Sequence, residues 1–114
     1  MKSNEQIIRD LALEYFEAFS SKDLLKLESM FANDVILRDW ETSALGRCQV
    51  ILANQKIFNS LSTVSVRPIN ILVSGQVVIG ELELVINGDE IIKVVDIINF
   101  NLNNKILSIK AFKG

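Results

Sequence analysis

The sequence contains no histidine, and this absence removes the commonest acid–base side chain from any reaction that the protein performs. Without imidazole there is no Ser-His-Asp site, no Cys-His site and no two-His zinc site, so no metal is expected. The one cysteine, Cys48, excludes an intramolecular disulfide. With no histidine to activate it, Cys48 is expected to be a small buried apolar residue rather than a nucleophile. Acid–base chemistry must therefore use Asp, Glu, Tyr or Lys side chains.

The sequence also lacks a basic run and a long apolar run. With 12 Lys and Arg residues against 14 Asp and Glu residues, the net charge is −2, which argues against nucleic-acid binding through a basic patch. No stretch approaches the roughly 20 apolar residues of a membrane helix. Residues 1–6 lack the apolar core of a signal peptide. We therefore expect a cytoplasmic protein that binds neither nucleic acid nor a membrane.

Hydrophobic side chains are abundant instead. They make up 49% of the 114 residues, which is enough for one domain, residues 1–114, with a core of its own. This is a high fraction for a small soluble chain, and it indicates a buried subunit interface, an apolar cavity, or both.

Three helices are predicted in the first half of the chain. Ser3 and Gln6 form a capping-box pattern ahead of a helix that ends near residues 20–22 and carries Tyr15 on its apolar stripe. Asp23 caps a second, short helix that residues 33–34 interrupt. The elements expected next are a strand over 35–40, a loop over 41–46 and a third helix over about 47–61.

From Thr63 onward, β-branched residues separated by turns predict antiparallel strands. The predicted strands cover 63–73, 76–86, 91–101 and 105–113. Pro68, the only proline, marks an edge or a bulge in the first of them. The apolar alternation favours a three-residue connection after the second strand, which pairs Glu83 with Lys93, over a two-residue turn. Helices followed by these strands indicate an α+β fold.

Two aspartates interrupt apolar strand faces. In the strand that begins at Val35, Asp39 follows Val35 and Leu37 onto one face. In the third long strand, Asp96 lies in the middle of a face that is otherwise apolar. A carboxylate on the core side must be hydrogen-bonded, carry a raised pKa or take part in chemistry. Tyr15 is a third ionisable group on an apolar face.

These three side chains converge if the first helix packs across the sheet, and their chemistry is complementary. An ionised carboxylate can abstract a proton from carbon beside a carbonyl, while a phenol and a neutral acid donate hydrogen bonds to the enolate oxygen, without a cofactor. Each residue also has a purely structural interpretation. Tyr15 would be a core tyrosine bonded to the backbone, and Asp39 would cap the following loop. Asp96 would sit at a strand bend or pair with Lys110 or Arg38.

Two segments resemble one known family. The stretch from Tyr15 to Asp39 is similar, without gaps, to the first third of the ketosteroid isomerase and SnoaL-like branch of the nuclear transport factor 2-like superfamily. Residues 96–112 place an acid ahead of an alternating strand, a turn and an S-x-[RK]-A strand, which resembles that family's last hairpin. The resemblance implies that Asp39 is the general base, that Tyr15 is the oxyanion-hole tyrosine, and that Asp96 is the protonated acid that shares the hole.

The same resemblance implies a cone-shaped fold. A curved antiparallel sheet would wrap around three N-terminal helices and enclose a cavity for a small, apolar, carbonyl-bearing molecule. A homodimer would form through the outer face of the sheet, with Val95 and Ile97 in the interface. The side chains expected to line the cavity are Trp40, Phe31, Phe58 and Phe100.

Differences from the family pattern leave three functions open. Isomerases of this family support the oxyanion tyrosine with further tyrosines, whereas Tyr15 is the only tyrosine here. Phe31 and Phe58 occupy places where such hydroxyls could stand, and Trp40 follows the base where proline is typical. The first hypothesis is a cofactor-free isomerase, and the second is a ligand-binding or dimerisation module without catalysis. The third is epoxide hydrolysis or polyketide cyclisation, for which a bulge would have to direct Arg38 inward.

Overall fold

The first helix begins at the predicted capping box. In the computed structural model, which describes residues 1–114, the Ser3 hydroxyl accepts a hydrogen bond from the Gln6 backbone N–H. The Gln6 side chain accepts one from the Ser3 backbone in return. The helices are α1 (Asn4–Ser20), α2 (Leu24–Met30), which Asp23 caps as predicted, and α3 (Arg47–Ser60). None of the three is long and apolar enough to cross a membrane.

A six-stranded sheet packs against these helices. Its strands are β1 (Phe31–Arg38), β2 (Ser43–Leu45), β3 (Val64–Ser74), β4 (Val77–Ile86), β5 (Glu90–Phe100) and β6 (Ile106–Lys113). Their spatial order is β2-β1-β6-β5-β4-β3. All neighbours are antiparallel except β1 and β6, which are parallel. The predicted α+β fold is therefore confirmed, as a mixed and mostly antiparallel sheet.

The register of the β4–β5 hairpin agrees with the sequence-based prediction. Glu83 pairs with Lys93, and Ile86 pairs with Glu90, which leaves a connection of three residues, 87–89. Asn87 and Gly88 adopt positive φ angles of 52° and 85°, as a tight connection requires. This register places Leu82 and Leu84 of β4 beside Val94 and Ile92 of β5 on the face that meets the helices, which is called the inner face below.

Pro68 meets both of its predicted conditions. It lies in β3, which is an edge strand, and the β3–β4 register shifts between Pro68 and Asn70. An edge strand tolerates proline because the missing N–H faces no partner strand.

Three predictions in the first half of the chain are wrong. Strand β1 begins at Phe31 rather than Val35, because a register shift against β6 accommodates residues 33–34 within the strand. The expected loop over 41–46 contains β2, which pairs with the end of β1. Cys48 is exposed, because the inward stripe of α3 consists of Val50, Asn54 and Phe58 and Cys48 points away from it.

Candidate active site

A pocket of about 390 Å³ lies between α1, α3 and the inner face of the sheet. Sixteen of its 24 lining residues are hydrophobic, so its wall is mostly apolar. Its size falls at the lower end of the roughly 300–1,000 Å³ that is usual for small-molecule sites. Among the predicted site residues, the ones that line this pocket are Tyr15, Asp39, Asp96 and Trp40.

Tyr15 reaches the pocket from α1 and is almost fully buried, at 5% exposure. Burial, and then the negative charges of Asp96 and Asp39, raise the pKa of Tyr15 above its ordinary value of 10.0. The phenol therefore keeps its proton at all physiological pH values. It can donate a hydrogen bond into the pocket but cannot serve as a base.

Asp96 stands on the inner face of β5, at 8% exposure. Its strand neighbours are Gly80 on β4 and Ala111 on β6, and neither has a side chain that can donate a hydrogen bond. The alternative pairing with Lys110 or Arg38 does not occur, because both residues are exposed on the opposite face of the sheet. Asp96 is therefore a buried carboxyl group without a partner of opposite charge.

This environment changes the protonation of Asp96. Burial, and secondly the negative charge of Asp39, raise the pKa of Asp96 to about 7. At neutral pH a large fraction of the molecules therefore hold Asp96 as a neutral acid. In that form its carboxyl group can donate a hydrogen bond to an oxygen in the pocket.

Asp39 follows the end of β1 and is half-buried. Its Oδ1 accepts hydrogen bonds from the backbone N–H groups of Glu41, at 2.8 Å, and Thr42, at 2.6 Å. The structural interpretation of Asp39 as a loop cap is therefore correct. These two bonds engage Oδ1 and hold the carboxylate in one orientation, and the same residue lines the pocket.

Trp40 belongs to the exposed end of the pocket. Together with Glu41, Glu90 and Lys113 it is an exposed lining residue, and we call these four side chains the pocket mouth. The Lys113 ammonium lies 5.9 Å from the centroid of the indole ring, within the range of a cation–π interaction. Trp40 therefore borders the entrance of the pocket and does not fill its interior.

The prediction that Phe31, Phe58 and Phe100 line the cavity is wrong. All three are buried in the core and lie outside the pocket wall. The ring centroid of Phe31 is 6.3 Å from that of Tyr15, and the ring of Phe58 packs edge-on against Phe19 at 4.9 Å. Because Tyr15 and Phe19 occupy the wall, Phe31 and Phe58 form the layer behind it.

Arg38 does not enter the pocket. It is exposed on the outer face, where it pairs in register with Lys110, and the β1 register shift lies between Phe31 and Ile36. The bulge therefore comes too early in the strand to turn Arg38 inward.

Asn54 is a pocket residue that the sequence analysis missed. It lies on α3, is 2% exposed, and lines the pocket. Its position, four residues after Val50 and four before Phe58, places it on the apolar stripe of the helix. A polar residue on an apolar stripe is the same signal that identified Tyr15, and it would have found Asn54.

Comparisons with solved structures identify the fold. A ketosteroid isomerase, provisionally so described, from Kribbella flavida matches 98% of this chain and 81% of its own, with a TM-score of 0.83 and 18% identity. An isomerase of the SnoaL-like family, also provisionally described, from Agrobacterium tumefaciens matches 96% of this chain and 97% of its own, with a TM-score of 0.81 and 13% identity. The fold is nuclear transport factor 2-like.

A third match has another described reaction. A protein from Shewanella denitrificans, provisionally described as a SnoaL-like polyketide cyclase, covers 95% of this chain and 90% of its own, with a TM-score of 0.79 and 20% identity. No protein-family model and no curated protein matches the sequence. At these identities the likeness identifies the nuclear transport factor 2-like fold, and the reaction has to be argued from the site.

Proposed function

We propose that this protein is a cofactor-free isomerase that moves a proton beside the carbonyl group of a small, mostly apolar molecule. One observation carries the proposal: Tyr15, Asp39 and Asp96 line a single apolar pocket, and the environment raises the pKa of both Tyr15 and Asp96. Two protonated donors and one oriented carboxylate are the groups that an enolisation requires. The descriptions of the relatives from Kribbella flavida and Agrobacterium tumefaciens as isomerases agree with it.

In the proposed reaction Asp39 is the base. Its carboxylate takes a proton from the carbon next to the carbonyl, the C–H electron pair forms the new C=C bond, and the carbonyl oxygen becomes an enolate oxygen. Asp39 then returns the same proton to a different carbon of the conjugated intermediate, and the carbonyl is restored. The hydrogen bonds that its Oδ1 accepts from the 41–42 backbone hold the carboxylate in place for both transfers.

Tyr15 and Asp96 stabilise the enolate oxygen. Both donate hydrogen bonds in their protonated forms, and the apolar wall strengthens those bonds because little water competes with them. The raised pKa values of both groups keep the donating protons in place while negative charge develops on the substrate.

The test is an ultraviolet absorbance assay on a 3-oxo-Δ5 steroid, whose isomerisation produces a conjugated enone. The wild type is compared with Asp39→Asn, which preserves an oxygen for the 41–42 backbone, and with Asp34→Asn, an exposed acid of β1 outside the pocket, as a matched control. We expect Asp39→Asn to lose roughly 10²- to 10⁴-fold in rate and Asp34→Asn to keep the wild-type rate. Equal rates for wild type and Asp39→Asn would exclude Asp39 as the base.

A second candidate is a ligand-binding module without catalysis. The residues packed behind the pocket wall favour this second candidate. Phe31 packs near Tyr15, at a position where an isomerase would be expected to carry a hydroxyl group that supports the tyrosine. In this case small carbonyl compounds bind in the pocket, and the assay above detects no turnover by the wild type. Calorimetric titration of the same steroid into the wild type distinguishes binding without turnover from an empty pocket.

We further propose that the protein is a cytoplasmic homodimer that pairs through the outer face of its sheet. This face carries exposed apolar side chains, including Leu72, Ile79, Val95 and Phe112, with Ile97 half-buried among them. An exposed apolar surface of this kind usually has a partner.

The charges on the outer face suit a second copy of this chain as that partner. Glu83 on β4 already faces Lys93 on β5 and lies 3.9 Å from Arg67 on β3. Glu81 on β4 and Lys110 on β6 form no ion pair, and Val95 and Ile97 of β5 separate them. A two-fold axis parallel to β5 would place Glu81 of each copy over β6 of the other.

Sedimentation velocity tests the dimer with Val95→Lys and, as a control, Leu102→Lys in the exposed turn after β5. We expect Val95→Lys to convert the dimer to monomers and Leu102→Lys to leave it intact. A wild type that sediments as a monomer at all concentrations contradicts the dimer.

A further inference from the structure

Asn54 is a buried polar side chain that the proposed reaction does not use. It is 2% exposed, and its side-chain nitrogen has no hydrogen-bond partner in the protein. This nitrogen is the one side-chain nitrogen or oxygen atom that is itself fully buried and has no hydrogen-bond partner. Because it also lines the pocket, the unpaired amide belongs to the wall of the candidate active site.

An unpaired amide at this position is costly for the folded protein. Removing an N–H group from water without giving it a hydrogen-bond partner raises the free energy of the folded state. A leucine at residue 54 would have a similar shape and would avoid this cost, because its side chain has no polar atoms. The neighbouring positions of the same stripe, Val50 and Phe58, are apolar. The packing of α3 therefore gives the amide nitrogen no partner, and a molecule in the pocket, either a water or a ligand, would have to supply one.

Four other polar side chains of the wall already have a role or a partner. Tyr15, Asp39 and Asp96 already have parts in the reaction, and the Ser60 hydroxyl donates to the Ile57 carbonyl at 2.7 Å. Asn54 approaches the pocket from α3, which packs against β1, β2 and α2, whereas Tyr15 is on α1 and Asp96 on β5. The Asn54 amide is thus a polar group of the pocket wall that lies on a different element from Tyr15 and Asp96.

We propose that Asn54 binds a second oxygen atom of the ligand. The carboxamide donates a hydrogen bond to a ketone, ether or hydroxyl oxygen, while the reacting carbonyl oxygen faces Tyr15 and Asp96. The amide nitrogen is fully buried in the structure, and rotation about the Cβ–Cγ bond, which has a broad energy profile, would exchange the two ends of the carboxamide and turn the N–H toward the pocket. The inference rests on the proposed function and narrows its substrate class to mostly apolar carbonyl compounds that carry two separated oxygen atoms.

The first part of the test needs no ligand. Thermal and urea unfolding are compared for the wild type, Asn54→Leu and, in case leucine does not fit, Asn54→Ala, with Val50→Ala as a control that opens a cavity in the same helix. A binding amide predicts that Asn54→Leu is at least as stable as the wild type, whereas Val50→Ala is clearly less stable. If Asn54→Leu and Asn54→Ala both lose as much stability as Val50→Ala, the amide has a structural role and the inference is overturned.

The second part measures binding by calorimetry with 2-naphthols, whose oxygen on an unsaturated carbon imitates an enol. The probes carry a methoxy group at position 5, 6, 7 or 8, and each is matched with the ethyl compound of the same size. We expect at least one methoxy probe to bind the wild type about 5-fold more tightly than its ethyl counterpart. This preference should disappear in Asn54→Leu and persist in Ile57→Val, which changes the pocket wall without changing its hydrogen bonds.

The outcomes separate this inference from the function on which it rests. Binding of 2-naphthol with no methoxy preference, or a preference that persists in Asn54→Leu, overturns the role of Asn54 and leaves the proposed function standing. Failure of every probe to bind, including 2-naphthol itself, overturns both.

Discussion

Asp96 on β5 pairs directly with Gly80 on β4, and the absence of a side chain at Gly80 allows α1 to approach the sheet beside this buried acid. A Cβ atom at residue 80 would lie 3.2 Å from Cζ of Phe16 and 3.2 Å from Cδ2 of Leu82. Phe16 follows Tyr15 on α1, and both line the pocket. The close packing at Gly80 thus contributes to the burial that raises the pKa of Asp96 and of Tyr15.

Gly80→Val should destabilise the protein. The added side chain must displace Phe16 and Leu82 from a well-packed contact, and overpacking of this kind typically costs about 1–3 kcal/mol. Urea unfolding measures the loss, with Leu102→Val in the exposed turn after β5 as the control. A Gly80→Val variant as stable as the wild type would mean that α1 can move away from the sheet without cost.

Tyr15→Phe should impair the proposed reaction and preserve the fold. The variant removes one donor to the enolate oxygen, and loss of such a donor typically reduces the catalytic rate by roughly 10²- to 10³-fold. The ring and its packing against Phe31 stay in place. Steady-state kinetics and the melting temperature are measured together. A wild-type rate in Tyr15→Phe would exclude the hydroxyl from the oxyanion site.

The activity should fall as the pH rises through about 7. Burial raises the pKa of Asp96 to about 7, so above this pH the acid loses its donating proton and places a negative charge next to the enolate. The decrease should approach about tenfold per pH unit in kcat/KM. Asp96→Asn keeps a donor that does not ionise, so its lower activity should stay flat over the same range. If kcat/KM of Asp96→Asn decreased in the same way at high pH, the decrease would come from the titration of another group.

The free energy of unfolding should fall with rising pH, over the pH range that the raised pKa of Asp96 defines. The pKa of Asp96 is about 7 in the folded protein against an ordinary value of 3.8, so between these values the folded state binds more protons than the unfolded state. The contribution of Asp96 is therefore fully present below about pH 4 and is lost as the pH rises through 7, up to roughly 4 kcal/mol.

Urea unfolding from pH 3.5 to 8 measures this effect. Asp96→Asn lacks this titration, so its stability relative to the wild type should increase across the range. Asp34→Asn, an exposed acid on β1, is the control and should follow the wild type. A constant difference between Asp96→Asn and the wild type would mean that folding does not raise the pKa of Asp96.

The β4–β5 hairpin illustrates how much of the fold could be predicted. Side chains alternate between two faces with a period of two, so one register alone places the apolar residues on a common face and Glu83 beside Lys93. The same parity placed Asp96 on the inner face, and the helical period placed Tyr15 on the buried stripe of α1. These features depend on neighbours along the chain, which is why the amino-acid order sufficed for them.

Features that depend on contacts between distant segments of the chain could not be predicted from the local sequence pattern. Strand β2 has three residues and exists through its pairing with β1. Whether an inward aromatic ring lines a pocket or lies behind its wall depends on how closely α1 and α3 approach the sheet, and this distance places Phe31 and Phe58 in the second layer. Periodicity identifies the face of an element but carries no information on what fills the space opposite that face.

The chain alone thus determined the order of the three helices and the five longer strands, the hairpin register and the three ionisable residues on apolar faces, because local periodicity and turn chemistry encode them. Packing of the helices on the sheet decided that Tyr15, Asp39 and Asp96 share one pocket and that Asn54 joins them. It also decided the raised pKa of Asp96, because desolvation depends on every segment that surrounds a group in space.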